Sequence, residues 1–178
     1  KDIVAIMPTG GGKSLCYQIP ALILEGITIV VSPLISLMKD QVDALNSMNI
    51  KSTYINSSLS DNEINEKINN ICKNRYKIIY VAPERLDNYD FINLMKRINI
   101  SQIAVDEAHC ISQWGHDFRR SYTKISDFIF NLKERPIITC FTATASTKVK
   151  EDIIRNLGLY DYDSYTTGFN RENLEINI

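Results

Sequence analysis

Short runs of β-branched and other apolar residues recur along the chain. Each is followed by a longer stretch whose apolar positions fall three or four apart. A period-2 or continuous apolar run of four to eight residues predicts a strand, and a 3.6-residue period predicts a helix. On this basis strands are expected at 2–7, 27–32, 51–55, 77–82, 102–106 and 136–141, and helices at 13–25, 34–48, 61–73, 89–98, 122–132 and 147–157. The strand runs are continuous, as in Ile27-Thr28-Ile29-Val30-Val31, rather than alternating. Strands covered on both faces have that character, which predicts an α/β domain with a mostly parallel sheet and helices on both faces. Ser60 and Glu63 have the spacing of a capping box, and Gly158 stands where a left-handed helix cap is common. The tail 160–178 is undecided by pattern, although 174–178 is strand-like.

Composition changes this picture little. The 178 residues are 44% hydrophobic and 23% charged, enough for a core and too apolar for a disordered chain. The net charge of −1 means that any nucleic-acid surface has to be a local patch. Apolar runs such as 27–31 fall far short of the roughly 20 residues that span a bilayer, so no membrane partner is expected. Cys16, Cys72, Cys110 and Cys140 are far apart with no C-x-x-C pair, so reduced, buried thiols and an intracellular setting are expected. The chain opens at Lys1 on the threshold of a strand, and a natural N-terminus upstream of it is expected.

The candidate chemistry lies at strand ends. Met7-Pro8-Thr9-Gly10-Gly11-Gly12-Lys13-Ser14 sits between a strand and a helix. Glycines there let backbone amides turn inward to phosphates, and the helix adds the positive end of its dipole. Thr9, Gly10, Gly11 and Gly12 are expected to cradle phosphate, Lys13 to reach the β- and γ-phosphates, and Ser14 to offer its hydroxyl to Mg2+. The strict pattern places glycine where Met7 stands, but only the glycines near the lysine make the close approach.

A second apolar strand ends in Asp106-Glu107-Ala108-His109. Asp106 would hold Mg2+ and Glu107 would act as general base toward a water. Taken alone, an acidic strand end is as well explained by helix capping, and His109 by a structural hydrogen bond. Combined with the glycine loop, the pair predicts hydrolysis of a nucleoside triphosphate. Phe141-Thr142-Ala143-Thr144-Ala145 closes another strand, where Thr142 and Thr144 are placed to link the γ-phosphate to something bound nearby.

In this order the pieces resemble the first motor lobe of superfamily 2 helicases, and specifically the RecQ family of DNA helicases. The resemblance rests on Met7 to Leu22, Val31 to Val42, Tyr80 to Leu86, Asp106 to Arg119 and Phe141 to Ala145. It implies a RecA-like P-loop NTPase lobe over residues 1–167, with 168–178 beginning the connection to a second RecA-like lobe. It also implies ATP and Mg2+ as cofactors, and 3′-to-5′ unwinding of single-stranded and partly duplex DNA.

By the same resemblance Lys13, Asp106, Glu107 and His109 are catalytic. Pro33, Leu34, Lys39, Gln41, Pro83 and Arg85 would contact the DNA backbone. Gln113, Trp114, His116, Phe118 and Arg119 would form an aromatic-rich loop that senses single strands. Trp114 and Phe118 supply stacking faces, worth roughly 1–3 kcal/mol per base, although core packing is the commoner fate of aromatics. Gly115 is expected to let this loop bend. The family usually carries proline after Phe-Arg, and here Arg120 stands in its place, which puts the rigidity of the loop's exit in question. Rival readings are an RNA helicase, a nucleotide-binding scaffold that has lost hydrolysis and, more remotely, a small-molecule kinase.

Overall fold

A computed structural model describes residues 1–167; the expected connection at 168–178 lies outside the described residues. Seven strands alternate with six helices: β1 (Asp2–Ile6), α1 (Lys13–Ile23), β2 (Ile27–Val31), α2 (Ile35–Ser47), β3 (Ser52–Ile55), α3 (Asp61–Cys72), β4 (Ile78–Val81), α4 (Tyr89–Met95), β5 (Ile100–Val105), α5 (Lys124–Asn131), β6 (Ile137–Thr142), α6 (Thr147–Leu157) and β7 (Tyr162–Thr166). They form one sheet in the order β3-β4-β2-β5-β6-β1-β7, with every pairing parallel.

The continuous apolar runs have the expected cause. Every residue of β2 and of β4 is buried, because helices cover both faces of the sheet. One face packs Val30, Tyr80 and Ala104 against Tyr17 and Ala21 of α1 and Met38, Val42 and Leu45 of α2. The other packs Ile29, Val31, Ile103 and Val105 against Ile71, Phe91, Phe128 and Ile153 of α3 to α6. Alternate residues of one strand therefore serve different cores.

Helix ends follow local chemistry. Ser60 and Glu63 form the capping box, with the Ser60 amide donating to Glu63 Oε2 at 2.8 Å. Gly158 caps α6 at φ +63°.

The structure departs from the expected elements where tertiary contacts outweigh pattern. The predicted helix 89–98 stops at Met95, and the strand expected from 102 starts at Ile100. The Ile27 amide donates to Asn99 O at 2.9 Å, which ties the approach to β5 against the start of β2. Three 3-10 turns, Pro83–Asp87, Ala108–Ile111 and Arg120–Thr123, lack a sequence period and were not expected. β7 has a polar, largely exposed sequence, and backbone pairing along β1, from Asp2↔Tyr162 to Ile6↔Thr166, holds it in the sheet.

At the other end of β1, buried Asp2 takes Arg135 in a two-pronged pair at 3.1 and 2.6 Å and accepts the Ile138 amide at 2.8 Å. Among the described residues no helix is long and apolar enough to cross a membrane. The four cysteines are free, but only Cys110 and Cys140 are buried; Cys16 and Cys72 lie on helix surfaces, which corrects the expectation of four buried thiols.

Strand order positions the chemistry. β1, β6 and β5 are neighbours, so the segments after Ile6, Thr142 and Val105 meet at the C-terminal edge. β2 and β4 continue that edge on the far side of β5, which brings the segments after Val31 and Val81 alongside. Asp106 stands at the junction of the two halves, its amide donating to Val31 O at 2.9 Å.

Candidate active site

Between β1 and α1 the backbone turns through Gly10 and Gly12, both at φ +81°, a region that side chains rarely tolerate. Gly11 is needed for a different reason: a Cβ there would lie 2.9 Å from Pro8 O. Gly12 leads into α1 with no side-chain cap, whereas Ser60, Asn88 and Ser146 cap α3, α4 and α6. The first amides of α1 are thus left available to an anion, and the helix dipole favours one. Lys13 Nζ donates to Met7 O at 3.2 Å and Pro8 O at 3.4 Å, folding the cation over the loop it serves. Thr9 is exposed on the same loop.

Across the edge, Asp106 is only 8% exposed. Burial, and then the neighbouring Glu107 charge, push its carboxyl up to about 6; the Glu107 amide, donating to Asp106 Oδ1 at 3.0 Å, and the charge of Lys13 work against that rise. Tyr122 donates to Asp106 O at 2.9 Å and holds the strand end in place.

Glu107 takes a left-handed backbone, φ +47°, which is rare for a residue with a side chain and is found where a site over-determines its geometry. Its carboxylate lies 3.3 Å from His109 Nδ1, and hydrogen bonding to that imidazole holds it below the usual carboxylate range. His109 Nδ1 also lies 2.9 Å from Thr142 Oγ1, which in turn donates to Thr144 O at 3.0 Å. His109 therefore bridges the end of β5 to the segment after β6. Buried Thr142 acts within the protein and offers no surface to a ligand, unlike exposed Thr144.

The loop after Ile111 resolves the question of its aromatics. Trp114 is 66% and Phe118 39% exposed, so neither is core. Lys148 Nζ of α6 sits 3.1 Å from the centre of the Trp114 ring. His116 stacks on His109, ring centres 4.4 Å apart and nearly parallel. Arg119 pairs with Asp117 at 3.2 and 3.0 Å and reaches across to Pro33 O at 3.3 Å, joining this loop to the segment after β2. Gly115 works by close approach and not by bending, since a Cβ there would lie 2.5 Å from His109 O. The loop's base is pinned to α6, where Ser112 donates to buried Asp152 at 2.6 Å. Arg120 opens a 3-10 turn and is exposed, so the exit without proline is still ordered.

The remaining expected contacts line the other half of the edge. Leu34 and Lys39 are exposed and Gln41 is half-buried. Pro83 is buried at the start of its 3-10 turn and positions backbone without presenting a face. Arg85 is half-buried, with Nε lacking a hydrogen-bond partner among the described residues. Gln113 is exposed at the loop's start.

Two groups of side chains have the chemistry to hold an ion. Ser14 and Asp106 offer hard oxygen donors, and two crowded carboxylates gain from a divalent cation, which fits Mg2+. His109, Cys110 and Asp117 also cluster within 4.8 Å. There Arg119 already takes Asp117, and burial pushes the Cys110 thiol up to about 12, so this cluster reads as a protonated, hydrogen-bonded clamp. Lys148, Asp152 and Tyr122 were missed from sequence. All three lie on segments outside the signature runs, and only folding brings Lys148 and Asp152 to the loop and the Tyr122 hydroxyl to the end of β5.

The DEAD/DEAH box helicase family matches residues 1–153. Over its full length the chain is 51% identical to the ATP-dependent DNA helicase RecQ of Bacillus subtilis and 46% identical to that of Pasteurella multocida. It spans 30% and 28% of the length of those two relatives. Among solved structures, the Mycobacterium smegmatis helicase Lhr bound to ssDNA and AMP-PNP is similar at a TM-score of 0.71 and 17% identity, over 94% of this chain and 24% of that one. That likeness is one of fold.

Proposed function

The chain belongs to the DEAD/DEAH box helicases and, within them, to the RecQ family as its first helicase lobe, and on that premise we propose that it binds Mg-ATP and single-stranded DNA and works with a second lobe to unwind DNA 3′ to 5′. The observation that carries this reading is the bridge from one half of the edge to the other. Lys13, Asp106, Glu107, His109 and Thr142 converge at the ends of β1, β5 and β6, and Arg119 ties the adjoining exposed aromatics to the segment after β2.

The amides of Gly10 and of Gly12 to Ser14 bind the phosphates while that of Gly11 donates to Pro8 O at 3.0 Å, and Lys13 exchanges its carbonyl partners for phosphate oxygens and neutralises charge as it develops. Ser14 and Asp106 would hold Mg2+, which when bound neutralises phosphate charge. Glu107 is ionised and poised: it orients a water and takes its proton as the terminal phosphoryl group is transferred. His109 holds the Glu107 carboxylate in place and passes its orientation to Thr142. Exposed Trp114 and Phe118 stack on bases, while Lys39 and Arg85 supply positive charge toward the DNA backbone. A stacked base that shifts residues 113–119 pulls on His116 and Arg119, and so on His109. In this way DNA reaches the general base.

Steady-state ATP hydrolysis by the full-length enzyme carrying this lobe tests the reading, measured without nucleic acid, with single-stranded DNA and with single-stranded RNA, beside Trp114→Ala. Stimulation by DNA that is lost in the variant while nucleotide binding survives is the expected result. Equal stimulation by RNA would assign an RNA motor instead, and no stimulation by either would leave the fold without the motor.

A further inference from the structure

Under the phosphate loop, on the α1–α2 face of the sheet, a line of polar side chains is buried among aliphatic ones. Gln18 Nε2 donates to Gln41 Oε1 at 2.8 Å and to the Tyr80 hydroxyl at 3.0 Å. Tyr80 donates to the Tyr17 hydroxyl at 3.5 Å, and Ser14 is a further hydrogen-bond partner of Tyr17. Gln18, Tyr80 and Tyr17 are 8%, 1% and 2% exposed. The Tyr17 ring also meets Tyr80 edge-on at 6.4 Å and Phe141 at 5.6 Å. The line therefore starts at the hydroxyl placed for Mg2+, passes through α1 and β4, and ends on α2, the helix after the segment that Arg119 grips. A contact to β6 branches from Tyr17.

Aliphatic side chains of similar volume would fill this space without polar groups that need partners, since a buried amide or hydroxyl costs free energy unless bonded. The two ends of the line, Ser14 and Gln41, are the residues already placed toward nucleotide and DNA. The surroundings are close-packed, so a shift of Tyr17 is transmitted along the line or else breaks a bond in it.

We propose that Gln18 and Tyr80 are positioning residues that couple the state of the phosphate loop to the placement of α2 on DNA, by a route separate from residues 113–119. The inference rests on the function proposed above. Neither residue touches nucleotide or DNA. Their role is to keep Ser14 and Gln41 in register, so that the two ends move together.

The test uses the full-length enzyme with Tyr80→Phe, which removes one oxygen and keeps the ring, and Gln18→Met, which keeps the volume and removes the amide. DNA-free hydrolysis, DNA affinity without nucleotide and thermal midpoint are measured with the DNA-stimulated rate. The expected result is unchanged basal kcat, KM and DNA affinity, with stimulated kcat down by about tenfold in each variant and no further in the double variant. Full stimulation of both variants would overturn the inference alone. Parallel loss of basal and stimulated rates with a lowered midpoint would overturn it by showing a structural role, and additive losses in the double variant would overturn it by showing two separate defects. A wild type that DNA does not stimulate would overturn the proposed function, and this inference with it.

Discussion

Asp106 is buried beside Glu107, and the crowding that suits it to a divalent cation makes it costly without one. Its carboxyl is raised from 3.8 to about 6, chiefly by burial. The folded state therefore binds a proton more tightly than the unfolded chain. The cost of the charge is absent below about 4, grows as pH rises through the window to about 6, and is complete above it. Asp106→Asn removes that cost. With divalent ions chelated, the variant is expected to be more stable by about 2–3 kcal/mol at pH 7.5, with the gain shrinking toward zero near pH 4. Thermal melts at both pH values check this, and an equal gain at both would show that the charge is not the cause. The neighbouring loop has its own reporter, since Trp114 is the sole tryptophan of the chain. The Lys148 ammonium over its ring holds the indole against α6. Lys148→Ala is expected to lower the steady-state anisotropy of Trp114 emission, and single-stranded DNA to raise it again; an unchanged value in the variant would mean that the cation does not hold the ring.

Element packing decides how firmly that loop is held. α6 carries Asp152, which accepts from Ser112 at 2.6 Å and pairs with Arg155 three residues on. The Ser112 hydroxyl also accepts the Trp114 amide at 3.1 Å, so one buried carboxylate orders the loop's first turn. Asp152→Ala is expected to cost about 1–3 kcal/mol, because it leaves a buried hydroxyl short of its acceptor. Chemical denaturation measures the loss. A change within a few tenths of a kcal/mol would show that the 3-10 turn at Ala108–Ile111 holds the loop alone. At the opposite end of the sheet, Arg135→Ala strands the Asp2 carboxylate, although Ile138 still donates to it. Arg135 is itself nearly half exposed, so the loss is expected near 1–2 kcal/mol, below that of a fully buried pair, and readable by the same denaturation.

At the scale of the whole molecule, the proposed two-lobe reading makes this chain one wall of a site. The phosphate loop, the acid pair and the exposed aromatics all open at one edge of the sheet. The 178 residues alone are expected to bind ATP weakly and to turn it over negligibly, with or without DNA; robust DNA-stimulated hydrolysis by them would contradict the two-lobe reading. Much of this lobe is legible in the order of residues. Apolar periodicity marks six of the seven strands and all six helices, because burial on both faces needs continuous apolar runs, and the glycine loop and acid pair are legible because the proposed phosphate chemistry calls for those residue types at strand ends. β7 escapes, since a polar edge strand is held by backbone pairing that leaves no apolar period. What only the tertiary structure decided is which distant side chains share a space. The parallel order β5-β6-β1 brings His109 to Thr142, the packing of α6 brings Lys148 and Asp152 to the loop at 113–119, and the stacking of α1 and α2 on β4 joins Gln18, Gln41 and Tyr80. Local sequence carries periodicity and backbone preference, which act over a few residues. Contacts between residues tens of positions apart exist only once the sheet has closed, and they decide whether a hydroxyl, an amide or an aromatic ring is structure or machinery.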